Sequence, residues 1–175
     1  MSIGEGLLAS GSGRRVKRQD TLDQILEAWR TNNRINLFLI DAIAAGGMKS
    51  TLSKRGGRNV VRQFCHLHNN RVWQLEARAK DLAKGLHKFD TYDEPGKPEL
   101  KKHLRASGKQ VEIFFADCLA GKPKRRGFKK GVVTNLSYLI AHESHHRGNI
   151  LLTLKESGHN LDQAMRYAIW NWDKI

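Results

Sequence analysis

The sequence predicts an all-α fold, an up-and-down four-helix bundle with an additional short C-terminal helix. Four long segments repeat apolar residues every three or four positions, which is the spacing that lines one face of a helix. No segment alternates apolar and polar residues in the manner of a half-buried strand. The connections are short enough to make sequential helices antiparallel neighbours, and 175 residues suffice for one buried core.

The first helix is predicted over residues 21–45, with Asp20 as a candidate N-cap and the Gly-Gly pair that follows as a stop. Asn33 and Asn36 interrupt its apolar stripe. We expect these two amides to hydrogen-bond to each other or to water rather than to a ligand. The stripe itself consists of Leu22, Ile25, Leu26, Trp29, Leu37, Ile40 and Ile43.

The second and third helices are predicted over residues 59–86 and 99–119. The third follows Pro98, which suits a first turn because proline lacks the amide hydrogen that this turn leaves unpaired. Between the first two helices, residues 46–58 are rich in glycine and in basic side chains, which is typical of a loop.

The fourth helix is predicted over residues 132–157, and Gly158 suits the left-handed conformation that often ends a helix. A shorter fifth helix is predicted over residues 161–172. The segment that precedes the fourth helix, residues 120–130, combines glycine, proline and basic residues and is predicted to be a loop.

Residues 20–175 are predicted to form one helical domain, and residues 1–19 a flexible basic tail. The tail has no signal-peptide pattern, because Gly and Ser break its apolar part and the positive charges come last. No apolar run reaches the roughly 20 residues of a membrane span. Cys65 and Cys118 lack C-x-x-C spacing, which is typical of buried, reduced thiols. We therefore expect a cytoplasmic protein.

The charge balance keeps nucleic acid among the candidate partners. Lys and Arg number 31 against 17 Asp and Glu, a formal net charge of +14, and such an excess attracts polyanions by releasing their counterions. Basic residues gather in segments 14–18, 54–58 and 122–126, which would form one electropositive surface if they met. Scattered, solvated charge is the simpler explanation.

The sharpest motif is AHESHHRGN, residues 141–149. It contains H-E-x-x-H from His142 to His146, the pattern in which two histidines hold zinc and a glutamate acts as general base in a metalloprotease. An extended zincin requires a glycine and a third histidine at offsets that Asn149 and Leu152 occupy here. No strand is predicted to line a substrate either, so the sequence argues against a zincin protease.

A metal site remains a strong alternative. His142 and His146 lie one helical turn apart among aliphatic residues, and buried imidazoles need polar partners. A divalent metal satisfies both rings, and bridging hydrogen bonds are the other solution. A third imidazole from the second helix, His66 or His68, would leave a coordination position open, as in catalytic sites. Zinc, nickel and iron all suit such ligands.

Residues 138–150, YLIAHESHHRGNI, resemble a motif of the DinB-like family of metal-binding helical bundles. Residues 154–159 and 169–172 continue the resemblance, and residues 65–71, followed by Trp73 and Leu75, resemble the second-helix motif of that family. The similarity extends over about residues 20–174, with its motifs in the family's order.

The resemblance implies a four-helix bundle in which three histidines bind a divalent metal ion. Matched residue by residue, the ligands are His66, His142 and His146, and His68 is the alternative ligand on the second helix. Asn149 stands where the family usually has glutamine.

The activity that the resemblance implies is that of a metal-dependent transferase or hydrolase acting on a small molecule, with thiol compounds as candidate substrates. It also implies a homodimer. The alternative is a basic, nucleic-acid-associated protein of the DNA-damage response in which the metal is structural. A metal that is only structural would give no turnover of small molecules.

Four neighbours of the ligands are candidates for supporting roles. Glu143 follows His142 and His145 precedes His146, so each points about 100° away from its neighbouring ligand around the helix. We expect both to support the ligands or to lie on the surface. Arg147 is a candidate anchor for an anionic substrate or a partner for an acidic residue of another helix. Tyr138, one turn before the first ligand of this helix, is expected to line the pocket.

Overall fold

The computed structural model describes residues 18–175, with side chains from residue 21 onwards. The predicted tail lies outside this range except for its last two residues, which begin the first helix. The named elements in the described range are all helical, which confirms the all-α class. They are α1 (Arg18–Ala42), a 3-10 helix (Gly46–Lys49), α2 (Val60–Arg78), α3 (Lys80–Ala83), α4 (Lys97–Leu119), α5 (Val132–Glu156) and α6 (Gln163–Ala168).

Helix α1 ends at Ala42, before the predicted Gly-Gly stop, and the glycines belong to the 3-10 helix instead. Gly47 is required there by close packing. A Cβ atom on Gly47 would lie 2.9 Å from Leu154 Cδ2 and 3.0 Å from Ile43 Cγ2. This close approach lets the chain after α1 pack directly against α5.

The second predicted helix is in fact two helices, because the chain breaks at Ala79. Asn59 caps α2, its side chain accepting a hydrogen bond from the Arg62 amide at 3.0 Å. At Ala79 the backbone leaves the helical region (φ −154°, ψ 63°), and α3 is a single turn that follows. Ala79 is buried in the core. Alanine is the best helix former, so the break comes from tertiary packing and not from local propensity.

The bounds of α4 and α5 agree closely with the prediction. Pro98 lies in the first turn of α4. Helix α5 is followed by Gly158 at φ +74°, the left-handed conformation that the sequence predicts. Helix α6 is shorter than predicted and is capped by Asp162, whose side chain accepts from the Met165 amide at 2.8 Å. None of the helices in the described range is both long and apolar enough to cross a membrane.

The order of helix directions differs from an up-and-down arrangement. After α3 the chain runs back along α2: Asn69 exchanges hydrogen bonds with the backbone of Phe89, and Arg62 Nε donates to the Thr91 carbonyl. Helix α4 therefore starts beside the N-terminal end of α2 and runs parallel to it. Helices α1, α2, α4 and α5 therefore run up, down, down and up. An up-and-down bundle would need a short turn between α2 and α4, but here the connecting segment runs back along the length of α2.

Two apolar clusters form the core, one towards each end of the four long helices. The first contains Ile40, Phe64, Leu104 and Ile150, and the second Trp29, Leu75, Phe115 and Leu139, among others. Between them along each helix lie buried polar residues, namely Asn32, Asn36, His68, Arg71, Ser107, Glu143 and Arg147. The histidines of the candidate site lie at this middle level.

Candidate metal centre

Three histidines from two helices converge at one point on the side of the protein. His66 lies on α2, and His142 and His146 lie one turn apart on α5. One ring nitrogen of each lies within 4.8 Å of the others. The ring centroids are 5.3 Å apart for His66 and His142, 4.8 Å for His66 and His146, and 4.7 Å for His142 and His146.

These distances fit a shared cation. Two imidazole nitrogens that bind one zinc ion at about 2.1 Å lie at most about 4.2 Å apart, so a small rotation of the rings would bring these three within range. Helix geometry provides the arrangement, because residues four apart share a face, and an antiparallel neighbour can present a third ring opposite them. The three histidines are half-buried, which leaves solvent access to the site.

The three imidazoles are poor bases in this environment. Burial, with repulsion from Arg58 and from neighbouring histidines in their protonated form, lowers the pKa of His66 and of His146 to about 4. Burial also lowers the pKa of His142, and Glu143 partly opposes this. All three rings are therefore neutral near pH 7, the form that donates a lone pair to a metal ion.

The Nδ1 atoms of His142 and His146 have different environments. Asn70 Nδ2 lies 3.3 Å from His142 Nδ1, which orients that ring. His146 Nδ1 is buried and has no hydrogen-bond partner among the described residues. A buried imidazole nitrogen without a partner is costly, and coordination of a cation is one way to satisfy it. The donor set thus fits a divalent metal such as zinc, nickel or iron.

His68, the other candidate on α2, lies elsewhere. Its ring is fully buried, with Nδ1 3.1 Å from Ser107 Oγ and Nε2 2.7 Å from the His87 carbonyl oxygen. Both ring nitrogens therefore have partners on the side of α4 and its preceding loop. Two residues along a helix are about 200° apart, so only one of the two histidines can face α5. The structure brings His66, and not His68, together with the histidines of α5.

Glu143 does not face the three histidines but is fully buried among α1 and α2. Arg71 donates to its carboxylate from Nε at 2.6 Å and from Nη2 at 2.9 Å, and Asn32 and Asn36 each donate at 2.6 Å. Burial alone raises the pKa of Glu143, but Arg71 and Arg147 more than offset this and hold the pKa below its ordinary value. The ionised carboxylate is thus saturated with donors and is not placed as a general base.

Arg147 completes the same buried network. Its Nη1 donates to Asn32 Oδ1 at 2.7 Å and to Asn36 Oδ1 at 2.9 Å, and its Nη2 donates to Ser144 Oγ at 2.6 Å. These amides connect Arg147 to Glu143. The guanidinium is therefore engaged inside the protein, and burial lowers its pKa.

Asn33 and Asn36 do not hydrogen-bond to each other in the way the sequence led us to expect. Asn36 bridges Glu143 and Arg147, and Asn33 Oδ1 accepts from Arg71 Nη1 at 2.7 Å. The polar interruption of the α1 stripe is a genuine sign of buried polar contacts. Sequence reasoning missed Arg71, although it lies one turn after Leu67 on the apolar face of α2.

The two remaining candidates lie at the surface of the site. The ring of Tyr138 stacks on His142 at a centroid distance of 6.0 Å and an angle of 24°, with 41% of the residue exposed. His145 is exposed, and its Nε2 lies 3.1 Å from Asn149 Nδ2. Tyr138 thus covers one edge of the site. His145 lies beside His146, with the two ring centroids 5.3 Å apart.

Two cavities flank the three histidines, and Arg58 lines both. The first cavity, about 170 Å³, is bounded by His66, Trp73 and Asp90, among others. The second cavity, about 290 Å³, is bounded by His146 and Asn149, among others. Both are at or below the lower end of the range for drug-sized ligands, about 300–1,000 Å³, so they suit a small molecule.

Cys65 also borders the first cavity but is not a good nucleophile. Burial, with the charge of Asp93, raises the pKa of its thiol to about 12. Its sulfur lies 3.9 Å from the Asp93 carbonyl oxygen, and the residue is buried. A thiol that stays protonated at neutral pH is unreactive.

Comparison with known proteins gives one family match. The model of the DinB family matches residues 119–172, which contain α5 and α6 with His142 and His146. The match confirms, over this part of the chain, the resemblance described from the sequence. No curated protein and no solved structure matches the chain.

Proposed function

From the DinB family match over residues 119–172, we propose that the protein is a metal-dependent enzyme built on a DinB-like four-helix bundle. In this proposal His66, His142 and His146 hold a divalent zinc, nickel or iron ion. The observation that carries the proposal is the convergence of three neutral imidazoles from α2 and α5, with ring nitrogens within 4.8 Å of one another.

Three histidine ligands leave at least one coordination position for water or substrate, which favours catalysis over a closed structural site. When bound, the metal supplies a Lewis acid that lowers the pKa of a coordinated water or thiol towards neutrality. The chain contributes orientation and a partial cover: Asn70 orients His142, and Tyr138 shields one edge. We propose transfer or hydrolysis of a small molecule, with a thiol compound as the leading substrate class.

Metal analysis of the purified protein tests the site. We expect close to one divalent ion per chain in the wild type, and loss of that ion in the double variant His142→Ala, His146→Ala and in His66→Ala. The matched control is His145→Ala, which removes an exposed imidazole from the same helix and should keep the ion. Full metal content in the double variant would reject the site.

Turnover separates a catalytic metal from a structural one. A panel of small thiols with electrophilic acceptors, and of hydrolysable esters and amides, is assayed with chelated protein and with protein reloaded with zinc, nickel or iron. We expect turnover that disappears on chelation and returns with one of the metals. If reloading restores only the melting temperature, the metal is structural.

Nucleic-acid binding, the alternative function, is a prediction that rests on the positive net charge. In segment 122–126, Lys122 and Arg125 form ion pairs with Asp117, and Arg125 also pairs with Asp81. Part of this segment's charge is therefore compensated within the protein. Gel retardation of duplex and single-stranded DNA over a salt series tests the remainder, because binding through phosphates weakens steeply with salt.

A further inference from the structure

Arg58 is a cation without an assigned role beside the three histidines. It borders both cavities, and the residue is exposed. Its guanidinium has no hydrogen-bond or ion-pair partner among the described residues. Arg62, which borders the first cavity, is different, because its Nε donates to the Thr91 carbonyl at 3.0 Å and its guanidinium lies over the Tyr92 ring.

The loop that carries Arg58 holds its backbone in a defined position. Ser53 Oγ accepts from the amides of Arg55 at 3.3 Å and of Gly57 at 2.8 Å, which closes a tight turn. A Cβ atom on Gly57 would lie 2.4 Å from Ser53 Cβ, so this turn requires glycine. The next residue after Arg58 is the N-cap of α2. The backbone at Arg58 is therefore fixed on both sides.

Arg58 lies beside the proposed ligands in both cavities. It borders the first cavity together with His66 and the second cavity together with His146. A positive charge next to a site for a cation is unfavourable by itself. An anion bound between the guanidinium and the metal would attract both, and would thereby offset the repulsion between the two cations.

The second cavity is the better place for an anion. Asp90 borders the first cavity and would repel one there. The described residues that line the second cavity include no acidic side chain, and they offer the hydroxyl and amide groups of Ser53, Gln63 and Asn149 as further donors. A guanidinium binds carboxylate or phosphate through paired hydrogen bonds, which makes it a specific anchor for an oxyanion.

We propose that Arg58 binds the carboxylate or phosphate group of a small substrate, which occupies the second cavity and reaches the three histidines with its other end. This inference rests on the proposed metal-dependent function and names its substrate class, a small molecule with one anionic oxygen group. Arg58 is then a residue that determines specificity.

Protein loaded with cobalt(II) provides the test, because thiolate coordination gives a charge-transfer absorption band that can be titrated. The probes are 3-mercaptopropionate, which carries a carboxylate, and 2-mercaptoethanol, which carries a neutral hydroxyl. We expect wild-type protein to bind 3-mercaptopropionate roughly tenfold or more tightly than 2-mercaptoethanol, as a charged hydrogen bond predicts. In Arg58→Gln this preference should disappear, mainly through weaker binding of 3-mercaptopropionate, because 2-mercaptoethanol presents no carboxylate to the guanidinium.

The control variant is Arg55→Gln, which removes the same charge from the same loop but not from either cavity, and it should keep the preference. Arg58→Lys, which retains charge without the paired donors, should keep part of it. Competition by acetate and by inorganic phosphate then distinguishes a carboxylate site from a phosphate site. Displacement by neither anion would reject the anchor.

Metal content is measured in every variant, so the two proposals can fail separately. A wild-type protein that holds cobalt but binds both thiols equally overturns the role of Arg58 alone. A protein that holds no cobalt overturns the metal site and, with it, this inference. Equal weakening of both thiols in Arg58→Gln would indicate a structural role for Arg58 and would also overturn its assignment as an anchor.

Discussion

Arg71 and Glu143 form a fully buried ion pair in the middle of the protein, with Nε to Oε1 at 2.6 Å and Nη2 to Oε2 at 2.9 Å. Both side chains are 0% exposed. The guanidinium of Arg71 also lies 4.8 Å from the centre of the Trp29 ring and donates to the Leu104 carbonyl. One pair of charges thus connects all four long helices at the level of the three histidines.

Breaking this pair should be costly. Glu143→Leu leaves Arg71 charged, buried and without a carboxylate, and we expect a loss of about 3–5 kcal/mol in the free energy of unfolding. Arg71→Met should cost a similar amount for the converse reason. Urea unfolding followed by circular dichroism measures both.

The double variant Arg71→Met, Glu143→Leu is the decisive comparison. It removes both buried charges of the pair, so its cost should be clearly smaller than the sum of the two single costs. Strictly additive costs would show that the pair is not coupled. His145→Ala, on the exposed face of the same helix, should change stability by no more than about 0.5 kcal/mol and provides the reference.

The sequence predicts the helices best where the local chemistry is decisive. Pro98 fixes its own φ angle and Gly158 tolerates the left-handed conformation, and the bounds of α4 and α5 were predicted closely. The break at Ala79 has no such signal. The parallel course of α2 and α4 depends on long-range contacts of the connecting segment, such as that of Asn69 with Phe89, which periodicity does not reveal.

The candidate site also combines features that local sequence predicts with features that depend on long-range contacts. Histidines four apart on one helix share a face, so the sequence alone pairs His142 with His146. The choice between His66 and His68 depends on which face of α2 meets α5, and both have apolar neighbours in the sequence. The burial of Glu143 could not be predicted either, because its partner Arg71 lies on another helix and charged residues are rarely buried.

Two glycines of the long helices should respond oppositely to substitution by alanine. A Cβ atom on Gly108 would lie 2.7 Å from Asn33 Oδ1, the atom that accepts from Arg71. Gly108→Ala should therefore displace Asn33 and destabilise the protein by about 1–3 kcal/mol. A Cβ on Gly148 meets no atom within 4 Å, so Gly148→Ala should stabilise by up to about 1 kcal/mol. Thermal melting of both variants gives the signs, and a stable Gly108→Ala variant would contradict the packing argument.

The two cysteines should resist modification in the folded protein. Burial raises the pKa of both thiols, to about 12 for Cys65, and only the thiolate reacts. With Ellman's reagent at pH 8, we expect slow reaction of the native protein and rapid release of two equivalents after unfolding in guanidinium. Fast reaction of Cys65 in the native state, identified with Cys118→Ala, would mean that the first cavity opens to the thiol.

Acid should destabilise the metal-free protein through His68. Burial lowers the pKa of His68 to about 4 in the folded protein, whereas the unfolded chain has an ordinary value of about 6.5. Between these values the unfolded chain binds the extra proton, so the contribution of His68 to stability is complete above about pH 6.5 and falls as the pH decreases towards 4, by up to about 3 kcal/mol. His66 and His146 act in the same direction. Urea unfolding at pH 7, 6 and 5 should give a weaker pH dependence for His68→Gln than for wild type, because this variant lacks one of the protonating groups. An identical pH dependence in both proteins would show that burial does not hold His68 neutral in the folded protein.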